Sequence, residues 1–392
     1  MIRIAAIMLQ SAFMKQPDYD IIILGGGCAG MQLAYAMANH ASFNKERILI
    51  IDDGNSMHQK KSWCSWIQSD DYDYNSLISK RWNALSIGTN GSNRTRSIAP
   101  YSYTYINSQT FFDYHHNFIE QHQSIQLYID RVTNIHHEPN GVTVFTEKSR
   151  FTCTKLYSSI YNNTDIAQNS KSYIHQQFHG LFIETENNVF DTETAVLMDF
   201  IGSQDKAVTF MYVLPFTPKK ALFEITRFTS NLNIRQEVDE AILADYIKTH
   251  YKTNFQITSR ESGILPMTDY QFSKTCSNNI IPIGIAAGMM KPSTGYAFNR
   301  IYRHSKLLSN AYYNNANYTH HKERFFFYDK LLLKLIELNP RKASEILQCL
   351  FRKVPMNKIL KFLDEDSTLQ DEIALFLQLP KSDFIKLIPS II

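Results

Sequence analysis

Asp20-Ile21-Ile22-Ile23-Leu24-Gly25-Gly26-Gly27-Cys28-Ala29-Gly30-Met31-Gln32-Leu33-Ala34-Tyr35-Ala36-Met37-Ala38 is the stretch whose reading decides the fold. Four consecutive apolar positions, Ile21 to Leu24, predict a buried strand, the glycines a tight turn, and the small and apolar residues after them a helix. A second buried strand, Arg47-Ile48-Leu49-Ile50-Ile51, then runs to Asp52. A G-x-G-x-x-G between strand and helix, with an acid at the next strand end, is the dinucleotide-binding fingerprint. Gly25 lets the chain turn, Gly27 lets backbone N–H groups approach a pyrophosphate, and Gly30 lets helix and strand pack closely. The helix N-terminus adds partial positive charge for the phosphates. Asp52 is the candidate acceptor for an adenosine ribose, with Asp53 as the competing acid. The pattern does not separate FAD from NAD(P).

Outward from this unit, 392 residues leave room for further domains. Forty Lys+Arg against thirty-seven Asp+Glu give a net charge of +3, too balanced for nucleic-acid binding as the main task. Five scattered cysteines make neither a disulfide framework nor a zinc site, and they fit a reducing compartment. No metal site is expected, although His175 and His179 stand four residues apart. The 25 Phe, 22 Tyr and 12 Met are an aromatic and thioether load beyond an ordinary core. Residues 1–16 read as a leader. The run Ile21–Ala38 approaches membrane-spanning length, but its glycines assign it to the nucleotide turn.

After Asp52 regular strand-helix alternation stops. Ile125–Ile129 and Val142–Thr146 read as strands, and Ala195–Ile201, Val208–Phe216 and Ala221–Thr229 as antiparallel strands of a second sheet. A second glycine-rich patch, Ile280 to Gly288 and on to Tyr296, predicts that the nucleotide domain is discontinuous. Gly284, Gly288 and Gly295 are its candidate cofactor contacts, and Pro292-Ser293-Thr294-Gly295 reads as a helix start. From about residue 318 the pattern is helical, broken near Pro340, Pro355 and Pro380. In Lys330–Leu338 the apolar surface is wide, fitting a helix in the protein's own core or one lying in a lipid interface. In the Ala221–Thr229 strand, Glu224 shares a face with Leu222, Thr226 and Phe228: either an acid on an apolar surface or one ion-paired to Arg227 or Lys220.

Several segments together resemble the FAD-dependent lycopene cyclases of carotenoid synthesis, particularly their bacterial members. Ser62-Trp63-Cys64-Ser65-Trp66 resembles the family's T-W-C-F-W, and Leu197-Met198-Asp199-Phe200 its L-M-D-F. Leu214-Pro215-Phe216-Thr217-Pro218 through Ala221-Leu222-Phe223-Glu224 is similar to L-P-F-S-P…A-L-V-E. Glu261-x-Gly263-x-x-Pro266-Met267-Thr268 and Gly288-Met289-Met290-Lys291-Pro292-Ser293-Thr294-Gly295-Tyr296 resemble E-x-G-x-I-P-M-T and G-M-T-K-P-S-T-G-Y. Leu156–Ile160 and Ala287 depart from the family's pattern beside the expected flavin.

The resemblance implies a mixed α/β (α+β) chain: a Rossmann-like FAD-binding domain in two parts, 17–165 and 276–317, an inserted antiparallel substrate sheet at 166–275, and a helical region at 318–392. It implies a lycopene β-cyclase, forming rings at the acyclic ends of lycopene with no net oxidation. Reduced FAD is the expected cofactor and NAD(P)H a candidate reductant keeping it reduced. Glu224 becomes the candidate general acid and Glu261 a second one, since a carboxyl group buried among apolar side chains keeps its proton near neutrality. Trp63, Trp66 and Phe228 are candidate walls for a carbocation, or core residues. An acyclic carotenoid substrate implies peripheral attachment to the cytoplasmic face of a bacterial membrane, without a transmembrane span. The rival reading is a flavin-dependent prenyl-lipid reductase or hydroxylase. Those enzymes usually carry Gly-Asp at the second glycine site, where this chain has Gly284-Ile285.

Overall fold

The computed structural model describes residues 16–44, 46–55, 61–68, 72–232, 236–273, 279–314, 322–380 and 389, so the expected leader lies almost wholly outside the described residues. In the first sheet β1 (Tyr19–Leu24) lies between β2 (Ile48–Asp52) and β11 (Arg150–Ser158), parallel to both, and β8 (Ile125–Ile129) extends the parallel set beyond β2. Such strands are covered on both faces, which is why Ile21–Leu24 and Ile48–Ile51 are unbroken apolar runs. The first half of β11 carries an antiparallel hairpin of β9 (Val132–Glu138) and β10 (Gly141–Thr146). The second half pairs in parallel with β17 (Ile280–Pro282), so the later glycine patch returns to the first sheet. Helices α1 (Cys28–Ala38), α2 (Ser108–Gln121) and α5 (Phe298–Asn314) share the core on one face of this sheet.

The second sheet runs in the order β16 (Phe255–Thr268), β12 (Tyr173–Thr185), β15 (Lys220–Thr229), β14 (Val208–Pro215), β13 (Thr194–Phe200), β5 (Ala84–Thr89), β6 (Ser92–Ser97). One expectation is corrected here. The five strands from 166–275 are antiparallel to one another as expected, but the sheet is not drawn from that segment alone: β5 and β6 come from inside the 17–165 segment, and β5 runs parallel to β13. Side chains alternate between two cores. Phe223 and Ile225 face α4 (Gln236–Tyr251), whereas Leu222 and Phe228 face the helical region and a small antiparallel sheet of β3 (Ser62–Ile67), β7 (Ser102–Asn107) and β4 (Lys80–Trp82). Helix α3 (Asn163–Gln168) leads from the first sheet into β12.

The helical region comprises α6 (Glu323–Leu338), α7 (Pro340–Lys353), α8 (Met356–Leu363) and α9 (Leu369–Phe376). Its breaks fall at Pro340, the first residue of α7, and at Pro355, the N-cap of α8. In α6, Leu333, Leu335 and Ile336 are buried in the core they share with the second sheet, while Lys334 pairs with Glu337 at 2.8 Å. The wide apolar surface of Lys330–Leu338 is therefore mainly a core surface. A second expectation is also corrected: Pro292–Gly295 is a turn, and the helix starts at Phe298. The Lys291 carbonyl takes the Gly295 N–H at 2.9 Å, and Gly295 sits at φ +74°, outside helical geometry.

Candidate active site

The inner face of the second sheet, the small sheet, the glycine turn and α6–α9 enclose a cavity of about 930 Å³. One end is built by Gly27, Cys28 and Ala29 of the first turn with Gly284 and Ile285 of the second. Gly25, at φ +96°, makes the turn, and a side chain on Gly30 would drive into the Gly25 carbonyl oxygen. A Cβ on Gly27, by contrast, would meet nothing within 4 Å, and the first turn of α1 holds no acidic residue. The turn thus offers open space and an unopposed helix N-terminus, a fit for a dinucleotide pyrophosphate. Asp52 is buried, and its carboxylate accepts from the backbone N–H groups of Gly26 at 2.6 Å and Gly54 at 2.7 Å, which ties the β2 end to the glycine turn.

The middle of the cavity holds the acids. On β15, Glu224 is buried and accepts a hydrogen bond from Thr226 Oγ1 at 2.6 Å. The ion-pair alternative is not realised: Arg227 pairs with Asp239 at 2.7 Å and Lys220 with Glu184 at 3.4 Å. Glu261 on β16 also lines the cavity and accepts from Ser62 Oγ at 3.2 Å. The strand register sets Glu224 and Glu261 on either side of Gly180 on β12, and Tyr212 of β14 on the other flank of Glu224. Burial pushes the Glu224 carboxyl up to about 8, with the charge of Glu261 as the second cause, and burial pushes Glu261 up to about 7. The two titrate as one unit.

Aromatic groups close over this row. Tyr103 OH bonds to Tyr212 OH at 2.7 Å and to Tyr296 OH at 2.8 Å, a buried hydroxyl cluster beside the Cys64 thiol. Trp63 lines the cavity, backed by Phe111, Phe112 and Phe298, and Phe228 lines it from the sheet. Trp66 does not line it. Its ring stands edge-on to Tyr296, with centroids 4.8 Å apart, and is buried in the core shared with β7. Beyond the acids the walls are apolar, with Leu331 and Leu332 of α6, Leu347 and Leu350 of α7, and Leu375 and Phe376 of α9.

A family model described as "Lycopene cyclase protein" matches residues 20–387. The chain belongs to that family. The lycopene beta cyclase of Arabidopsis thaliana is 23% identical over 316 residues, which take in 76% of this chain and 60% of that protein. A lycopene beta-cyclase of Paracoccus sp. is 30% identical over 126 residues, 31% of this chain and 32% of its own length. A neoxanthin synthase of Solanum lycopersicum is 21% identical over 73% of the chain and 59% of its length, so likeness at this level spans more than one named activity. The chain thus spans about three fifths of the plant relatives. Among solved structures, a geranylgeranyl bacteriochlorophyll reductase-like protein of Thermoplasma acidophilum superposes with a TM-score of 0.58 at 13% identity, covering 95% of this chain and 99% of that one. A flavin-dependent brominase gives 0.58 at 14% identity over 92% and 93%. At these identities the likeness shows a shared Rossmann-like flavoenzyme fold.

Within this lycopene cyclase family chain, the sequence-derived residues divide. Gly27, Gly284, Gly295, Trp63, Phe228, Glu224 and Glu261 meet at the cavity; Gly25, Gly30 and Gly288 shape the backbone behind it. Gly288 ends the short turn after Gly284 in the left-handed conformation, at φ +71°. Lys291 neither faces solvent nor aims a free charge at the cavity: it is buried against Asp329 at 2.9 Å and Glu365 at 3.4 Å. His175 and His179 lie on a strand, where four residues span about 13 Å, so their spacing brings no pair together. Sequence reasoning missed Gly180 and the tyrosine cluster. Tyr296 ends a family-like motif and Tyr212 alternates correctly for the inner face, but nothing local marks Tyr103 or Gly180.

Proposed function

We propose that the chain binds FAD at the two glycine turns and catalyses redox-neutral, acid-initiated cyclisation of the acyclic ends of lycopene, forming β-type rings through a monocyclic intermediate. The observation that carries this reading is a carboxyl group, Glu224, buried in the wall of an aromatic and apolar cavity that begins at a dinucleotide-type turn, where burial favours its protonated form. Protonating an isolated alkene needs an acid whose proton survives at neutral pH, and desolvation of Glu224 supplies it. Tyr212, Tyr296, Trp63 and Phe228 then present ring faces that attract the carbocation without donating a lone-pair nucleophile from the ring carbons. The apolar end has the chemistry to hold the rest of a polyene. Bound in its reduced form, FAD would supply negative charge to stabilise the cation, with NAD(P)H keeping it reduced. Among the described residues no helix is long and apolar enough to cross a membrane. Peripheral contact with a lipid surface is the route proposed for a hydrocarbon substrate.

Full-length expression in a lycopene-accumulating host, with pigment analysis, tests the reading. Conversion to β-carotene is expected; unchanged lycopene in the presence of soluble, flavin-bound protein overturns it. Consumption of one NADPH per product molecule would support the reductase reading instead.

A further inference from the structure

A single row of residues crosses four strands at one register: Tyr212, Glu224, Gly180 and Glu261. Strands lie about 4.8 Å apart, so two acids on the same face with one strand between them stand about 10 Å apart at the backbone, and their side chains can lean toward each other over that strand. The intervening residue has no side chain. A Cβ on Gly180 would lie 2.9 Å from Leu222 Cδ1, 3.2 Å from Glu261 Cγ and 3.5 Å from Glu224 Cβ, so the stems of both acids and the tip of Leu222 border the space a side chain would take. Their surroundings are unequal. Glu224 is buried with Thr226 as donor, while Glu261 is half-buried, with the Ser62 hydroxyl directed at Oε2. Of a proton shared by the two, the more desolvated Glu224 keeps the larger part, leaving Glu261 the anion.

Resting on the cyclase reading above, we propose that Glu261 is the base of the reaction and forms with Glu224 a proton-returning pair across Gly180. The Glu224 O–H bond breaks as a C–H bond forms on the terminal alkene. The cation so made takes the electron pair of an internal alkene, closing the ring by a C–C bond. A C–H bond beside the resulting ring cation breaks, its electrons become the ring double bond, and its proton passes to the Glu261 carboxylate. Transfer back across Gly180 restores the protonated Glu224. One proton enters and one leaves, and no electrons are exchanged. Placement of the base also sets which C–H bond breaks, and so the ring isomer. The thiol and the phenols facing the pair stay neutral through this range. Burial raises the Cys64 thiol to about 12, and it raises the Tyr103, Tyr105, Tyr212 and Tyr296 phenols as well. Lys61, at the glycine-turn end, is lowered by its burial.

The test uses the full chain, reconstituted with FAD and lycopene-loaded phospholipid vesicles, with initial rates followed from pH 5 to 9 and products resolved by chromatography and NMR. Wild type should show a bell, its acid limb reporting the need for an ionised base. Glu261→Gln should cut cyclisation by about 10²–10⁴-fold, abolish the acid limb and shift the residual product to other double-bond positions or to a water adduct, with flavin binding retained. Glu261→Asp should restore part of the rate and the limb, and it carries the test if the glutamine variant does not fold. Gly180→Ala should slow turnover and separate the two limbs. Cyclisation by Glu261→Gln within threefold of wild type with the bell intact overturns the base assignment alone, as does a failure of Glu261→Asp to recover either rate or limb. Absence of cyclic product from wild type overturns the cyclase reading itself.

Discussion

Glu224 is held where its charged form is disfavoured, and that placement links its chemistry to stability. Its folded pKa, about 8, lies above the ordinary 4.5, so between those values the folded chain binds more protons than the unfolded one. The stabilisation is fully present below about pH 4.5 and is lost as pH rises through 8. The slope reaches about 1.4 kcal/mol per pH unit for an isolated group, and is shared with Glu261 in this pair. Glu224→Gln removes the dependence along with the acid. Urea unfolding at pH 5, 6.5 and 8 should show wild type losing stability relative to Glu224→Gln at each step, while the variant loses cyclisation by about 10²-fold or more. A stability difference that stays flat or rises with pH would show that Glu224 is solvated and charged.

At the scale of elements, two glycines in one turn have opposite jobs. Gly27 caps α1 at φ −78°, which any residue adopts, and its missing Cβ opens onto the cavity; Gly30 faces the Gly25 carbonyl within the strand–helix contact. Gly27→Ala should leave thermal stability within about 1 kcal/mol and weaken flavin binding, read by flavin fluorescence titration. Gly30→Ala should cost several kcal/mol and reduce soluble yield, because backbone has to move. Equal losses of stability in the two variants would contradict this division. These roles were legible in the sequence because strand, turn and helix are contiguous and their apolar periodicity is strong. The hairpin β5–β6 was not legible: Ser92-Asn93-Arg94-Thr95-Arg96-Ser97 is polar and exposed, and its place beside β13 depends on a parallel pairing with a distant strand. Alternation along Ala221–Thr229 revealed the face of Glu224, yet its juxtaposition with Glu261 depends on the register of β12 between them. The misplaced start of α5 has a similar origin, since Pro-Ser-Thr resembles a helix cap until the Lys291 carbonyl is seen to hold it as a turn.

Across the whole molecule, the cofactor-type segment and the helical region must stay in register for the cavity to keep both ends. Lys291, in the turn before α5, reaches Asp329 on α6 and Glu365 just beyond α8; Arg300 on α5 binds the same Glu365 oxygen at 2.5 Å, and Ser293 Oγ donates to Asp329 at 2.5 Å. Asp329 and Ser293 also line the cavity, so this buried network joins three segments at the site's wall. An apolar replacement of the lysine strips a buried carboxylate of its cation, which costs about 3–5 kcal/mol, whereas replacing both partners with apolar residues is often nearly neutral. Lys291→Met should therefore lower the unfolding free energy by that amount, and Lys291→Met/Asp329→Leu should regain most of it, as measured by urea denaturation of the full chain. If the network also holds the wall, the double variant will unfold near the wild-type midpoint and still cyclise more slowly, because the turn at 291–296 has lost its anchor on α6. A single variant that costs less than about 1 kcal/mol would mean that the helical region is held by its apolar core alone.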